Sequence, residues 1–253
     1  QWLLHPLDKE LRNSATDKLR AIPVRLLFND PQLNFRAHYA LFDRASGRPL
    51  CVGDGEQCKR RTQEGIKSLP CPSPDGCPLA QGGNCKPYGR LNVSIGDEDA
   101  LGSFVFRTTG YNSIRTLSAR LEYFRALSGD RLACLPLELR LRGKSTRQSH
   151  GTPIYYVDLT LRQGMSVEEA LREARALDEA RREAGFDQAA LDQAARNGLA
   201  NGAFEDTDEE SGQVLEEFYP DPPAPASTSQ TSLQQRLANK AQTAAQANTE
   251  ATP

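Results

Sequence analysis

The chain has 253 residues, 38% of them hydrophobic, which is enough to bury the core of one or two domains. No segment approaches the roughly 20 apolar residues of a membrane span and no leader-peptide pattern is present, so we expect a cytoplasmic protein with no membrane partner. Residues 1–165 carry 24 basic and 16 acidic side chains, whereas the remainder carries 7 and 17. This asymmetry predicts a basic body that meets something anionic, or an acidic tail that folds back on the body, repels competitors or only increases solubility.

Alternating apolar and polar residues predict three β-hairpins in the first part of the chain. The predicted strand pairs are 22–28 with 35–42, 90–95 with 103–109, and 134–142 with 154–162. The turn formers of NDPQLN, between the first two strands, support the first pairing. Apolar residues at helical spacing predict one amphipathic helix over 113–127. We therefore expect an α+β fold whose β-rich domain is either barrel-like or an antiparallel sheet.

The composition changes after Gly164. Ser166 and Glu169 have the spacing of a capping box, which predicts a helix through about Ala184, and a second helix is predicted over 187–197. The acidic, Pro/Ser-rich and Ala-rich sequence that follows cannot bury enough apolar surface to offset chain entropy, so we expect it to be largely disordered. The predicted organisation is an N-terminal arm over 1–19, a β-rich core over 20–164, a helical extension over 165–200 and an acidic tail over 201–253.

Three of the six cysteines lie in PCPSPDGCPLAQGGNC, residues 70–85, whose composition cannot build a core. In a reducing compartment a cysteine cluster is more typical of a metal site than of disulfides. We predict that four thiolates bind one Zn²⁺, which supplies the folding energy that a loop over 51–85 lacks. The predicted ligands are Cys58, Cys71, Cys77 and Cys85, with Cys51 as the alternative to Cys58. Because the spacings contain no C-x₂-C pair, a disulfide or unpaired thiols stay open as alternatives, and Cys134 is predicted to be a core residue.

The sequence contains no recognisable catalytic motif. It has no P-loop, no G-x-G-x-x-G turn after a strand, no G-x-S-x-G elbow and no H-E-x-x-H. The three histidines, His5, His38 and His150, are distant from the cysteines in sequence. A site closed by four sulfur ligands also leaves no coordination position open for hydrolysis. We therefore expect a binding protein and not an enzyme.

Basic residues recur beside aromatic ones throughout the predicted core. Arginine pairs with phosphates and carboxylates, and aromatic rings stack on bases. The alternative is that the arginines solvate the outer face of a sheet while the aromatics fill its core. The residues that we predict to bind nucleic acid or a protein partner are Lys59, Arg60, Arg61, Arg107, Tyr111, Arg115, Arg140, Arg142, Lys144 and Arg147.

Several segments resemble the phage recombination directionality factors that accompany large serine integrases. The segments are the cysteine-rich loop, KPYGRLNVSI, LGSFVFRTTGYNSIRTLSARLEYF and LPLELRLRGKSTRQSHGTPIYYVDLTL. The residues that carry the resemblance are Arg90, Leu91, Val93, Gly102, Phe104, Phe106, Thr108, Gly110, Tyr111, 139–141, Val157, Asp158, Leu159 and Leu161. The resemblance covers about 20–162 and leaves out the helical and acidic C-terminal region.

This resemblance implies a non-enzymatic regulator from a phage or another mobile element. Such a protein binds its serine integrase on DNA and biases recombination toward excision. The aromatic and arginine content also fits a protein that binds or anneals single-stranded DNA, and a metal-dependent hydrolase is a third possibility. The sequence predicts no oligomeric state.

Overall fold

The computed structural model describes residues 4–12, 14, 17–97, 103–145 and 152–199. The chain divides into two compact units, Gln1–Phe218 and Tyr219–Pro253, and every described residue belongs to the first. The tail predicted over 201–253 therefore lies outside the described residues. None of the described helices is long and apolar enough to cross a membrane.

Nine strands in the described ranges form one antiparallel sheet. They are β1 (Ala21–Arg25), β2 (Phe35–Phe42), β3 (Pro49–Gly53), β4 (Gln57–Thr62), β5 (Gly65–Pro70), β6 (Cys85–Ile95), β7 (Phe104–Thr108), β8 (Leu137–Lys144) and β9 (Ile154–Leu161). The order along the sheet is β5-β4-β3-β2-β6-β1-β8-β9, and β7 pairs with β6. The predicted α+β class is confirmed, in its antiparallel-sheet form.

Six helices accompany the sheet within the described residues. They are α1 (Asp8–Leu11), α2 (Pro31–Asn34), α3 (Ser73–Gly76), α4 (Tyr111–Ser128), α5 (Val167–Glu183) and α6 (Gln188–Leu199), with 3₁₀ segments at Pro78–Gly83 and Leu132–Cys134. The predicted amphipathic helix is α4. The predicted capping box begins α5, because the Ser166 hydroxyl accepts from the backbone of Glu169 and the Glu169 carboxylate accepts from the backbone of Ser166.

The hairpin predicted between 22–28 and 35–42 is wrong. β1 pairs with β6 and β8, whereas β2 pairs with β3 and β6, so the two strands do not meet. The turn-forming residues between them fold as α2, which Asp30 caps by accepting from the backbone of Gln32. The buried Asn34 side chain then accepts from the backbone amides of Leu27 and Phe28, at 3.1 Å each, and fixes this connection. The other two predicted hairpins are confirmed as β6–β7 and β8–β9.

The segment 51–85 also differs from the predicted loop. It contains the end of β3, all of β4 and β5, and α3. The β4–β5 pair is a regular antiparallel hairpin, in which Gln57 lies opposite Pro70 and Thr62 opposite Gly65. The backbone hydrogen bonds of this hairpin therefore order part of the segment.

The hydrophobic core lies between α4 and one face of the sheet. The helix contributes Leu117 and Leu121, which are buried against Leu91 of β6 and strand residues of β1, β8 and β9. Gly89 of β6 allows the helix to approach closely, because a Cβ there would lie 2.8 Å from the Phe35 ring and 3.0 Å from a side-chain carbon of Ile114.

Charged contacts tie α5 to the sheet and to the segment after α4. The Arg25 guanidinium of β1 donates to Glu173 of α5 at 2.6 Å and to the carbonyl of Cys134 at 2.7 Å. Arg131 donates to Asp178 of α5 at 2.9 Å. Since Ala170 and Ala174 of the same helix are also buried, the predicted helical extension packs on the sheet domain as part of the same compact unit.

Asp97, just after β6, joins Arg25 at the end of β1 to Arg162, which follows β9. Arg162 donates two hydrogen bonds to its carboxylate, at 2.6 and 2.8 Å, and Arg25 donates one at 2.5 Å. These contacts, with the hydrogen bonds of Arg162 the largest cause, lower the pKa of Asp97 from 3.8 to about 2.

We expect Asp97→Asn to unfold at a lower urea concentration than the unaltered chain at neutral pH. Because the pKa of this carboxyl is depressed on folding, its contribution is complete above about pH 4 and is lost as the pH falls toward about 2. Urea midpoints measured from neutral pH to about pH 2 check this, with Glu122→Gln on the exposed face of α4 as the control. A difference that stays constant with pH would contradict the assignment.

Candidate metal centre and basic surfaces

Strand register brings three cysteines to one face of the sheet. Cys51 of β3 and Cys85 of β6 both lie opposite Leu41 of β2. Cys58 of β4 lies opposite Gly53, which is two residues along β3 from Cys51. Residues that face each other across strands, or lie two apart along one, project to the same side. The three thiols therefore share a face.

Cys71 joins this face from the segment after β5. Its backbone amide donates to the carbonyl of Glu56 at 2.8 Å. Its sulfur lies 2.9 Å from the position that a Cβ would occupy on Gly53, and that position is 2.7 Å from the Cβ of Cys58. The missing side chain of Gly53 thus leaves the space in which the Cys71 thiol approaches Cys58.

Arg60 lies among these thiols. It is the register partner of Cys51, and its Nη2 atom lies 3.9 Å from the sulfur of Cys58 and 4.0 Å from that of Cys77, at the end of α3. The pKa of Arg60 is raised, with its hydrogen bond to Cys51 the largest cause. A guanidinium in this position favours thiolate over thiol.

Burial dominates the titration of two of the cysteines. It raises the pKa of Cys58 to about 11, and a hydrogen bond with Cys51 acts in the same direction. It also raises the pKa of Cys85 to about 11, with further contributions from the charges of Cys51, Cys71 and Cys77. Burial therefore favours the thiol over the thiolate at Cys58 and Cys85.

The structure brings the five candidate ligands to one region and does not choose between Cys51 and Cys58. All six cysteines are free thiols, and Cys134 is buried in the hydrophobic core. Within the described ranges, no three or more His, Cys, Asp or Glu side chains form a group that could hold a metal ion as placed. The zinc ligands thus remain a prediction, supported by the soft thiol donors that zinc prefers.

The residues predicted to bind nucleic acid or a partner do not form one surface. Arg60 faces the thiols, whereas Lys59 and Arg61 project from the opposite face of β4. Tyr111 and Arg115 lie exposed on α4. Arg147 lies outside the part of the chain that the structure describes.

The basic residues of β8 are engaged in contacts within the protein. Arg140 donates to Glu138 at 2.6 Å, and Lys144 donates to Asn112 of α4 at 2.8 Å. Arg142 donates to the buried Asp158 at 3.1 Å. Arg142 and Lys144 therefore join β8 to β9 and to α4, whereas the contact of Arg140 with Glu138 lies within β8.

A row of three arginines crosses the middle of the sheet. Only one of them, Arg107, was among the residues predicted to bind nucleic acid or a partner. Arg36 of β2 lies opposite Arg90 of β6, which lies opposite Arg107 of β7. We refer to these three residues as the arginine row. The row follows from the register between β2 and β6. These strands are distant in sequence, so their pairing cannot be derived from the local alternation of apolar and polar residues.

Comparison with known proteins identifies one family. The model of the family described as "Gp3-like: Recombination directionality factor-like" matches residues 5–162. No curated protein and no solved structure matches the chain. The matched range begins before β1 and ends just after β9, so it contains all of the described sheet.

We expect Gly53→Ala to destabilise the protein by about 1–3 kcal/mol, because the new methyl group would overlap Cys58, the carbonyl of Gln57 and the sulfur of Cys71. Ser68→Ala, at an exposed position of β5, is the control and should change the free energy of unfolding by less than about 0.5 kcal/mol. Urea unfolding of both variants measures the difference. Equal stability of the two variants would show that the Cys71 thiol does not occupy the space beside Gly53.

Proposed function

The chain belongs to the Gp3-like family of recombination directionality factor-like proteins, and from this premise we propose that it is a non-enzymatic accessory factor of DNA recombination. It binds a serine integrase on DNA and biases recombination toward excision. The observation that carries this proposal is the family match, because it spans the nine strands and α4.

The outer face of α4 is our candidate for the integrase contact. Tyr111 and Tyr123 are 63% and 57% exposed there, and the Arg115 side chain between them is also exposed. Tyrosine and arginine are enriched among the residues that dominate protein–protein binding energies. Contacts of this kind make recognition of the integrase chiefly a protein–protein interaction.

The helix that presents these side chains is held rigidly. The Ser113 hydroxyl accepts from the backbone of Val157 at 3.0 Å, on the edge of β9. Arg120 donates to the buried Asp158 at 3.1 Å. A surface that is fixed before binding loses less conformational entropy when the partner docks.

We further propose that the cysteines bind one structural Zn²⁺. Five thiols from β3, β4, β6 and the segment after β5 face one region, and the charge of Arg60 acts to lower the pKa of Cys58 and Cys85 against the larger effect of burial. Bound zinc would link the β4–β5 hairpin to β6 through four thiolates and would release their protons on binding. Cys71, Cys77 and Cys85, with Cys58 or Cys51, are the proposed ligands.

An excision assay tests the main proposal. Purified serine integrase and its two product sites are incubated with and without the protein, and the same mixtures are run on native gels. We expect excision to depend on the protein, and the integrase–DNA complex, but not bare DNA, to be retarded further. Retardation of any single strand, with log K falling linearly in log salt and no effect on the integrase, would contradict the proposal.

We expect Tyr111→Ala, Arg115→Ala and Tyr123→Ala each to weaken integrase binding by more than 1 kcal/mol, or about fivefold or more, because they remove exposed anchors from a rigid helix. Ser118→Ala, exposed on the same helix, is the matched control. Fluorescence anisotropy with labelled integrase measures the affinities, and circular dichroism checks that α4 is intact. Unchanged affinity in all three variants would place the contact elsewhere.

We expect the reduced full-length chain to contain one zinc per molecule by elemental analysis. Cobalt substitution should give the strong sulfur-to-metal absorption of a thiolate site, and Cys85→Ser should lose it. Cys134→Ala is the control, because Cys134 lies in the core and away from the proposed ligands. Clean reduced protein without zinc that still stimulates excision would remove the metal proposal and leave the integrase proposal standing.

A further inference from the structure

The arginine row lies on the sheet face that is turned away from α4. Phe35 of β2 packs on the α4 side, where its ring and Ile114 both approach Gly89. Since successive residues of a strand project to opposite faces, Arg36 lies on the other side, with its register partners Arg90 and Arg107.

Three like charges in adjacent cross-strand positions destabilise a sheet unless anionic groups lie near them. The pKa of Arg36 is lowered by burial and then by Arg90. His38, two residues along β2, has its pKa lowered to about 4 by burial and then by Arg90 and Arg36. Burial and neighbouring positive charge therefore both act on Arg36 and His38, so a carboxylate on this face would be held tightly.

The same face is buried next to the arginine row. Tyr88 and Ala40 have no exposed surface, and Phe42 is 2% exposed. The Tyr88 ring contacts those of Phe42 and His38 edge to face, at 5.4 and 6.1 Å between centroids. Because α4 covers the opposite face, the burial of these aromatic side chains requires a second covering layer on this face. That layer must contact both the aromatic rings and the arginine row.

One part of the chain has the composition for such a layer. The sequence FEDTDEESGQVLEEF, residues 204–218, which we call the acidic segment, contains seven carboxylates and no basic residue. It also contains Val214, Leu215 and Phe218.

The end of α6 lies close to the start of β2. Gln188 donates to the carbonyl of Leu27 at 3.0 Å, and Arg196 pairs with Asp30 at 3.2 Å. Five residues lie between Leu199 and Glu205, and the six steps from one to the other span at most about 20 Å. The chain leaving α6 therefore starts within reach of Arg36, which follows Asp30 by six residues.

We propose that the acidic segment of this chain docks on the sheet face that carries the arginine row. Its carboxylates neutralise Arg36, Arg90 and Arg107, and its apolar side chains cover Tyr88 and Phe42. The docked segment withholds the row from other anions, including DNA. This inference is independent of the proposed function and of the proposed zinc site.

A double-mutant cycle in the full-length chain tests the docking. The first change is Arg90→Gln, in the centre of the row, and the second replaces the seven carboxylates of the acidic segment with their amides. With the native segment, Arg90→Gln should lower the thermal midpoint by about 3 °C or more because a paired charge is lost. With the neutral segment, the same substitution should lower the midpoint by less, leave it unchanged or raise it, because the pairing of Arg90 with the segment is already absent.

Arg115→Gln on α4 is the control and should have the same effect in both backgrounds. Equal effects of Arg90→Gln in both backgrounds would overturn the proposal. A second outcome would also contradict the proposal. A single-stranded oligonucleotide would raise the thermal midpoint of the unaltered chain but not that of Arg90→Gln, and Arg90→Gln would have the same effect with the native and the neutral segment. The row would then bind nucleic acid and not the acidic segment.

A second measurement uses the unaltered chain and does not depend on the folding of any variant. Lys86 lies opposite Ala40 on the docking face, so a zero-length carbodiimide cross-linker should join Lys86 to a carboxylate of the acidic segment. Lys144, which contacts α4, should give no such product. Mixing isotope-labelled and unlabelled chains shows whether the cross-linked carboxylate belongs to the same chain or to a second copy. A cross-link within one chain supports the proposal. Cross-links between chains, or no cross-link, contradict it.

Discussion

The eleven residues of β6 hydrogen-bond with strands from three separate parts of the chain. β2 pairs along the first seven residues, β7 pairs on the opposite edge, and β1 pairs at the end. This strand begins with Cys85, carries Arg90 in its middle and contributes Leu91 and Val93 to the core. One register therefore fixes the candidate metal centre, the arginine row and the core together. A slip of one residue would move every side chain of β6 to the wrong face.

The elements that could be predicted well are those that a short stretch of sequence specifies by itself. The periodicity of α4, the capping box of α5 and the alternation in the β6–β7 and β8–β9 pairs each lie within a short stretch, and all are present in the structure. The first hairpin failed because alternation shows that a segment is a strand but does not show which strand pairs with it. Here the Asn34 side chain accepts hydrogen bonds from the backbone of the segment that connects β1 to β2. The two strands can therefore pair with different neighbours.

The candidate sites show the same division. The cysteines could be selected from composition alone, because few other roles suit several thiols in a segment rich in proline and glycine. The part of Gly53 in admitting Cys71, and the position of Arg60 among the thiols, depend on the pairing of β3 with β4. The arginine row was missed because Arg36 joins Arg90 and Arg107 only through the long-range pairing of β2 with β6. Hairpin β4–β5, within the predicted loop, was missed because charged residues dominate its alternation.

The contacts of α5 have a consequence for dissecting the molecule. The family match ends at residue 162, yet Glu173 and Asp178 supply carboxylates to Arg25 and Arg131, which belong to the matched part. A fragment cut at that boundary would remove one carboxylate partner from each guanidinium and would uncover the apolar surface beneath Ala170 and Ala174. We therefore expect the smallest piece able to fold by itself to be longer than the part that defines the family and to extend at least through α5.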